Sequence, residues 1–129
     1  MISTNANSHK KVIVVIEDSL PILNYTERIL QDYFSVLTFS SVEQALPSLE
    51  QADLILSDFQ MPGLGGDGLI EHLRQTQMRP LLIITGLAVD APELETAREL
   101  GIPILSKPFG PEALLAAVRT ALKSQHPEN

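Results

Sequence analysis

Asp53-Leu54-Ile55-Leu56-Ser57-Asp58-Phe59-Gln60-Met61-Pro62-Gly63 is the stretch around which the rest of the chain is organised. Its first half is dominated by Leu and Ile, the pattern of a strand covered on both faces, and it stops at an acidic residue followed shortly by Pro and Gly. Asp58 is therefore expected at the carboxyl end of a buried parallel strand. Open parallel sheets collect their chemistry at that rim.

Working outward, three more apolar runs end in polar residues. Residues 11–16 end in Glu17-Asp18, residues 81–84 in Thr85-Gly86, and residues 103–106 in Lys107-Pro108. Residues 36–39 form a further short strand. If the strands lie parallel in one sheet, the acidic pair, Asp58, the hydroxyl and the ammonium meet along one edge.

Helical patterns fill the intervals. Asp18 or Ser19 can cap a first helix with Pro21 in its first turn; it runs to about Tyr33, with Ile22, Tyr25, Ile29 and Tyr33 along one face. Ser40 or Ser41 starts a second, through Val42, Ala45, Leu46 and Leu49, which Pro47 should kink or shorten. Gly63-Leu64-Gly65-Gly66 reads as a flexible loop before a third helix over about residues 67–75. Residues 86–91 are a loop, and residues 92–100 a fourth helix with Pro at its start and Gly101 at its stop. The last helix covers 111–123, with Leu114, Leu115, Val118, Ala121 and Leu122 inward. Five alternations of strand and helix with short connections predict an α/β fold, a parallel sheet with helices on both faces.

Length and composition set the outer bounds. The 129 residues suit one domain, expected over 11–124, between a disordered tail over 1–10 and a short tail over 125–129. Hydrophobic residues make up 44%, enough for a core. Nine Lys and Arg stand against 16 Asp and Glu, and the formal net charge of −7 argues against nucleic acid or an anionic membrane as a direct partner. There is no Cys, hence no disulfide or thiolate site. No apolar run reaches the roughly 20 residues of a spanning helix, and residues 1–11 hold no apolar signal segment. A cytoplasmic protein without membrane insertion is the expectation.

The order of these strand ends resembles the receiver domain of two-component response regulators. The likeness rests on Glu17-Asp18, Asp58 with Met61-Pro62 and Gly66, Thr85-Gly86 and Lys107-Pro108-Phe109, and so covers nearly the whole chain. It implies a doubly wound, flavodoxin-like sheet of five strands in the order 2-1-3-4-5, with its switch point between strands one and three. Clustered carboxylates stay ionised only beside positive charge, and oxygen ligands without His or Cys suit a hard cation, best Mg²⁺. Glu17, Asp18 and Asp58 form the ligand set, and the resemblance adds the backbone carbonyl of Gln60.

The resemblance further implies that Asp58 accepts a phosphoryl group from a sensor histidine kinase or phosphotransfer protein, while Thr85 and Lys107 take phosphoryl oxygens. The product is then read by a downstream effector protein or output domain. Such a protein is a signalling switch that promotes its own phosphorylation and hydrolysis rather than a turnover enzyme. A homodimer through the face of helix four, strand five and the last helix is a further expectation; Ala113, Ala116 and Ala117 stand on that last helix. The Lys107-Pro108 bond is expected to be cis.

Taken singly, each site residue has a blander reading: Asp58 as a turn residue, Asp18 as a cap, Glu17 as a solvated neighbour, Thr85-Gly86 as turn chemistry, Lys107 as a surface lysine. Four strand ends that each carry what phosphoryl transfer needs favour the joint reading. His9, His72 and His126 read as surface histidines. The glycines over 63–68 lack the Lys and Ser/Thr of a phosphate loop, and the acidic first loop disfavours a flavodoxin-like cofactor binder. A phosphatase using an aspartyl phosphate would carry a second Asp where Gln60 stands. A pseudo-receiver that only makes protein contacts is the remaining alternative. One departure from the family is Ile104, at a strand-five position often aromatic in receivers; signalling is then expected to run through the 86–91 loop, with Leu87 and Val89 repacking.

Overall fold

The apolar runs all become strands of one parallel sheet in the computed structural model, which describes residues 10–124. They are β1 (Val12–Ile16), β2 (Ser35–Phe39), β3 (Leu54–Asp58), β4 (Leu81–Thr85) and β5 (Ile104–Ser106), in the spatial order β2-β1-β3-β4-β5. All four neighbouring pairs are parallel. Of the expected tails over 1–10 and 125–129, everything but Lys10 lies outside the described residues, as do His9 and His126.

Successive side chains of a strand point to opposite faces, so a sheet covered on both sides needs apolar residues at every position. β1 sends Ile13 and Val15 one way and Val14 and Ile16 the other; β3 divides Leu54 and Leu56 from Ile55, and β4 divides Leu82 and Ile84 from Leu81 and Ile83. The first set packs on α1 (Leu20–Leu30) and α5 (Pro111–Ser124) through Leu23, Leu30, Leu114, Val118 and Ala121. The second packs on α2 (Val42–Ala45), α3 (Gly65–Gln75) and α4 (Glu95–Glu99) through Val42, Ala45, Leu69, Leu73 and Ala97. Asp53 fastens the register at its start: its N–H donates to the Val12 carbonyl at 2.8 Å, and its carboxylate accepts the Val12 N–H at 2.7 Å.

Several local expectations need correction. The inward face of α1 is Leu23, Thr26 and Leu30, whereas Tyr25 and Tyr33 are 39% and 50% exposed. A buried Thr interrupts the apolar stripe, so the pattern pointed to the neighbouring one. The two tyrosines lie on other side chains: Tyr25 sits against Phe109 with centroids 6.0 Å apart, and Tyr33 under the Arg119 guanidinium at 5.2 Å. Neither Asp18 nor Ser19 caps α1 with its side chain; the Glu17 carboxylate takes the Ser19 N–H at 3.1 Å instead.

Pro47 does shorten the second helix. One α turn capped by Ser41, whose hydroxyl accepts the Gln44 N–H at 3.1 Å, gives way to a 3₁₀ segment over Leu46–Gln51. The fourth helix is likewise split, 3₁₀ over Pro92–Leu94 and then α4, and Gly101 ends it with φ +73°.

α3 begins at Gly65, and Gly65 and Gly66 are buried rather than part of a flexible loop. The Gly66 N–H donates to the Phe59 carbonyl at 2.8 Å, and a Cβ on Gly66 would enter the Phe59 ring. Close approach, not flexibility, requires that glycine.

Candidate functional site

The register brings the polar strand ends together. Ile16 of β1 pairs with Ser57 of β3, so Glu17 and Asp58 follow at the same level, and Asp58 pairs with Ile84, one residue before Thr85. Thr85 pairs with Ser106, and the Lys107 N–H donates to the Thr85 carbonyl at 2.8 Å. The Lys107-Pro108 bond is cis. Glu17, Asp18 and Asp58 each offer a carboxylate oxygen within 4.8 Å of the others, and the Lys107 ammonium lies 3.2 Å from Glu17 Oε1 and 3.3 Å from Asp58 Oδ1.

Burial sets the electrostatics. Glu17 is 3% and Asp58 6% exposed, while Asp18 faces solvent. Desolvation pushes the Glu17 carboxyl up despite the Ser19 amide, with the Asp58 charge adding to the rise and Lys107 opposing it. Desolvation also pushes Asp58 up; Lys107 opposes this and the Asp18 charge reinforces it. Burial alone would lower Lys107, but the Asp58 and Glu17 carboxylates more than offset it and hold the ammonium above its ordinary value. Three carboxylates stand beside one ammonium, which contacts Glu17 and Asp58 only, so the cluster carries an uncompensated negative charge whenever all are ionised. All-oxygen donors with that excess charge fit a hard divalent cation.

Thr85 is buried on the adjacent strand, and its hydroxyl oxygen accepts the Leu87 N–H at 3.0 Å. The structure thus brings Glu17, Asp18, Asp58 and Lys107 into one cluster and leaves the Thr85 hydroxyl engaged with its own loop. That loop is held from its other end by Arg98, whose guanidinium donates to the Val89 carbonyl at 2.7 Å and the Ala91 carbonyl at 2.9 Å. Leu87, Ala91 and Ile104 pack against one core cluster. Gln60 lies in the loop after β3, and no hydrogen bond among the described residues engages its carbonyl.

Sequence reasoning missed the contact of Glu43 with this loop. Its Oε2 accepts the Leu64 N–H at 3.2 Å across 21 residues of chain. Only a long-range signal could have found it. A cavity of about 320 Å³ lies at the other end of the strands, lined by residues that include Leu49, Glu50, His72, Leu73 and Arg79. His72 is half-buried there, away from the carboxylates. Among the described residues no helix is long and apolar enough to cross a membrane.

Comparison with known proteins gives the same reading. The family model described as the response regulator receiver domain matches residues 13–119. The probable transcriptional regulator ycf27 of Cyanophora paradoxa is 34% identical over 119 residues, covering 89% of this chain and 49% of the relative. The chain thus spans about half the length of the curated relatives it matches. Among solved structures, the chemotaxis protein CheY4 of Vibrio cholerae superposes with a TM-score of 0.77 at 28% identity, covering 87% of this chain and 98% of that one. The BeF3-activated receiver domain of DrrB, a response regulator of Thermotoga maritima, gives 0.77 at 28% identity, covering 88% and 98%. Five parallel strands in the order 2-1-3-4-5, the clustered carboxylates with their lysine, and a family match across most of the described residues lead to one conclusion: the chain belongs to the response regulator receiver domain family.

Proposed function

We propose that this domain takes a phosphoryl group onto Asp58 from a phosphohistidine of a sensor histidine kinase or phosphotransfer protein, with Mg²⁺ bound at the acidic cluster. The observation that carries this reading is the Asp58 carboxylate at the end of β3, 3.3 Å from the Lys107 ammonium and grouped with Glu17 and Asp18.

A carboxylate oxygen of Asp58 forms the new bond to phosphorus as the phosphorus–nitrogen bond to the donor histidine breaks, and the electron pair leaves with the imidazole. Glu17, Asp18, Asp58 and the Gln60 carbonyl would hold the Mg²⁺. When bound, the ion supplies charge neutralisation for the phosphoryl oxygens and the carboxylates. Lys107 moves from the ionised carboxylates toward a phosphoryl oxygen. The Thr85 hydroxyl keeps its proton while its oxygen accepts from Leu87, so it can donate to the phosphoryl group once its side chain turns. That turn breaks the Thr85–Leu87 bond and releases one end of the 86–91 loop.

The response is then a population shift over α4, β5 and α5, read by a downstream effector protein or output domain and open to homodimer formation. The domain acts as a switch that promotes its own phosphorylation and hydrolysis.

Two measurements test this. Acetyl phosphate should add a phosphate-sized mass that requires Mg²⁺ and is absent from Asp58→Asn; no gain in the wild type would leave a pseudo-receiver as the better reading. Amide exchange with and without a phosphate mimic should differ across residues 87–122, and unchanged protection there would sink the switching surface.

A further inference from the structure

We infer that Glu43 is a positioning residue for the divalent cation: its carboxylate ties down the loop that carries the Gln60 carbonyl. The inference rests on the cation reading proposed above and adds to it a residue that none of the site motifs contains.

The loop from Asp58 to α3 is fastened at two places. At its far end the Gly66 N–H donates to the Phe59 carbonyl at 2.8 Å and the Phe59 ring lies on Gly66. In its middle, Glu43 Oε2 accepts the Leu64 N–H at 3.2 Å, and Gly63, with φ +81°, lies directly against the same carboxylate. A side chain at Gly63 would be strained by the backbone and would displace Glu43. The loop's groups at 59, 64 and 66 are therefore engaged, while among the described residues the carbonyls of Gln60, Met61, Pro62 and Gly63 accept no hydrogen bond, and Gln60 is the one of these nearest in sequence to Asp58.

The turn that carries Glu43 is itself anchored. Val42 and Ala45 on either side of Glu43 are buried, and the Ser41 hydroxyl accepts the Gln44 N–H. The Gln44 side-chain oxygen in turn accepts from the Ser40 N–H at 3.3 Å and the Ser40 hydroxyl at 3.0 Å. Glu43 has no cationic partner among the described residues, so the Leu64 amide is the partner its carboxylate serves. A metal-ligand carbonyl held by such a contact loses less freedom when the ion arrives, which tightens binding without any new contact to the ion.

The experiment is an NMR titration of the full chain with MgCl₂, comparing wild type, Glu43→Ala and Glu43→Gln. It reads the exchange rate of the Leu64 amide in metal-free protein and the Mg²⁺ dissociation constant from the Phe59 and Gln60 amide shifts. In Glu43→Ala the Leu64 amide should exchange faster and Mg²⁺ should bind about three- to tenfold more weakly, the net size of one solvent-exposed hydrogen bond. Glu43→Gln keeps an acceptor oxygen and should stay within about twofold of wild type. Unchanged Mg²⁺ affinity in Glu43→Ala overturns the inference while leaving the receiver reading intact. Equal weakening in both variants also overturns it, because charge rather than tethering would then be responsible. Failure of the wild type itself to bind Mg²⁺ overturns both this inference and the proposed function.

Discussion

Replacing Lys107 with Met removes the only cation among the described residues within 4.0 Å of the Glu17 and Asp58 carboxylates and keeps most of the side-chain volume. Taking one partner from a fully buried ion pair costs about 3–5 kcal/mol, because a buried charge is left uncompensated. Here the Lys107 side chain is 22% exposed and the rim is open to water beside Asp18, so screening reduces the expected loss to about 1–2 kcal/mol near neutral pH without Mg²⁺. With a urea m-value of about 2 kcal/mol/M, the midpoint should fall by roughly 0.5–1 M.

The pH dependence follows from the direction of the shifts. Glu17 and Asp58 both titrate above their ordinary values in the folded protein because they are buried. A carboxyl group raised in this way contributes stability below its unfolded value of 4.5 or 3.8 and loses that contribution as pH rises through the folded value. Without Lys107 both groups rise further. The deficit of Lys107→Met should therefore be largest near neutral pH and shrink on acidification. Urea melts at about pH 7.5 and about pH 4 measure this, and a deficit that is the same at both, or larger in acid, refutes the reasoning.

Two other substitutions probe the packing and the switch. Gly66→Ala drives a methyl group into the Phe59 ring and should cost about 1–3 kcal/mol in a urea melt, the usual penalty of overpacking. Unchanged stability would mean that Phe59 can move aside. Thr85→Val keeps the shape of the side chain but removes the acceptor for the Leu87 N–H. Its Leu87 amide should exchange faster, and phosphorylation should no longer change protection over residues 86–91; a wild-type response in that loop would mean that the Thr85 hydroxyl does not carry the signal.

How far the sequence reached can be judged from particular residues. Strand existence was legible because a covered parallel strand must be apolar at every position, and runs such as Leu54 to Leu56 and Leu81 to Ile84 admit few other readings. Polar residues at the ends of those runs fall at the same rim because parallel strands share a direction, so the sequence alone groups Glu17, Asp18, Asp58, Thr85 and Lys107. Pro47 announced its own break in the second helix because the cause is local.

What the chain alone left undecided depends on neighbours remote in sequence. The inward face of α1 turns on Thr26, a polar residue that only the packing of the folded core reveals as buried. Gly66 read as part of a flexible loop, whereas in the folded chain the Phe59 ring occupies the space a side chain there would need. Thr85 has the right type and place, but whether its hydroxyl faces the carboxylates or the Leu87 amide is a torsion set by the loop it belongs to. The raised carboxyls of Glu17 and Asp58 come from desolvation, which exists only once both faces of the sheet are covered. Residue types and strand ends determined what chemistry the rim can hold; burial, torsions and the reach of Glu43 across 21 residues were decided by tertiary structure, since distances between remote segments exist only in the folded chain.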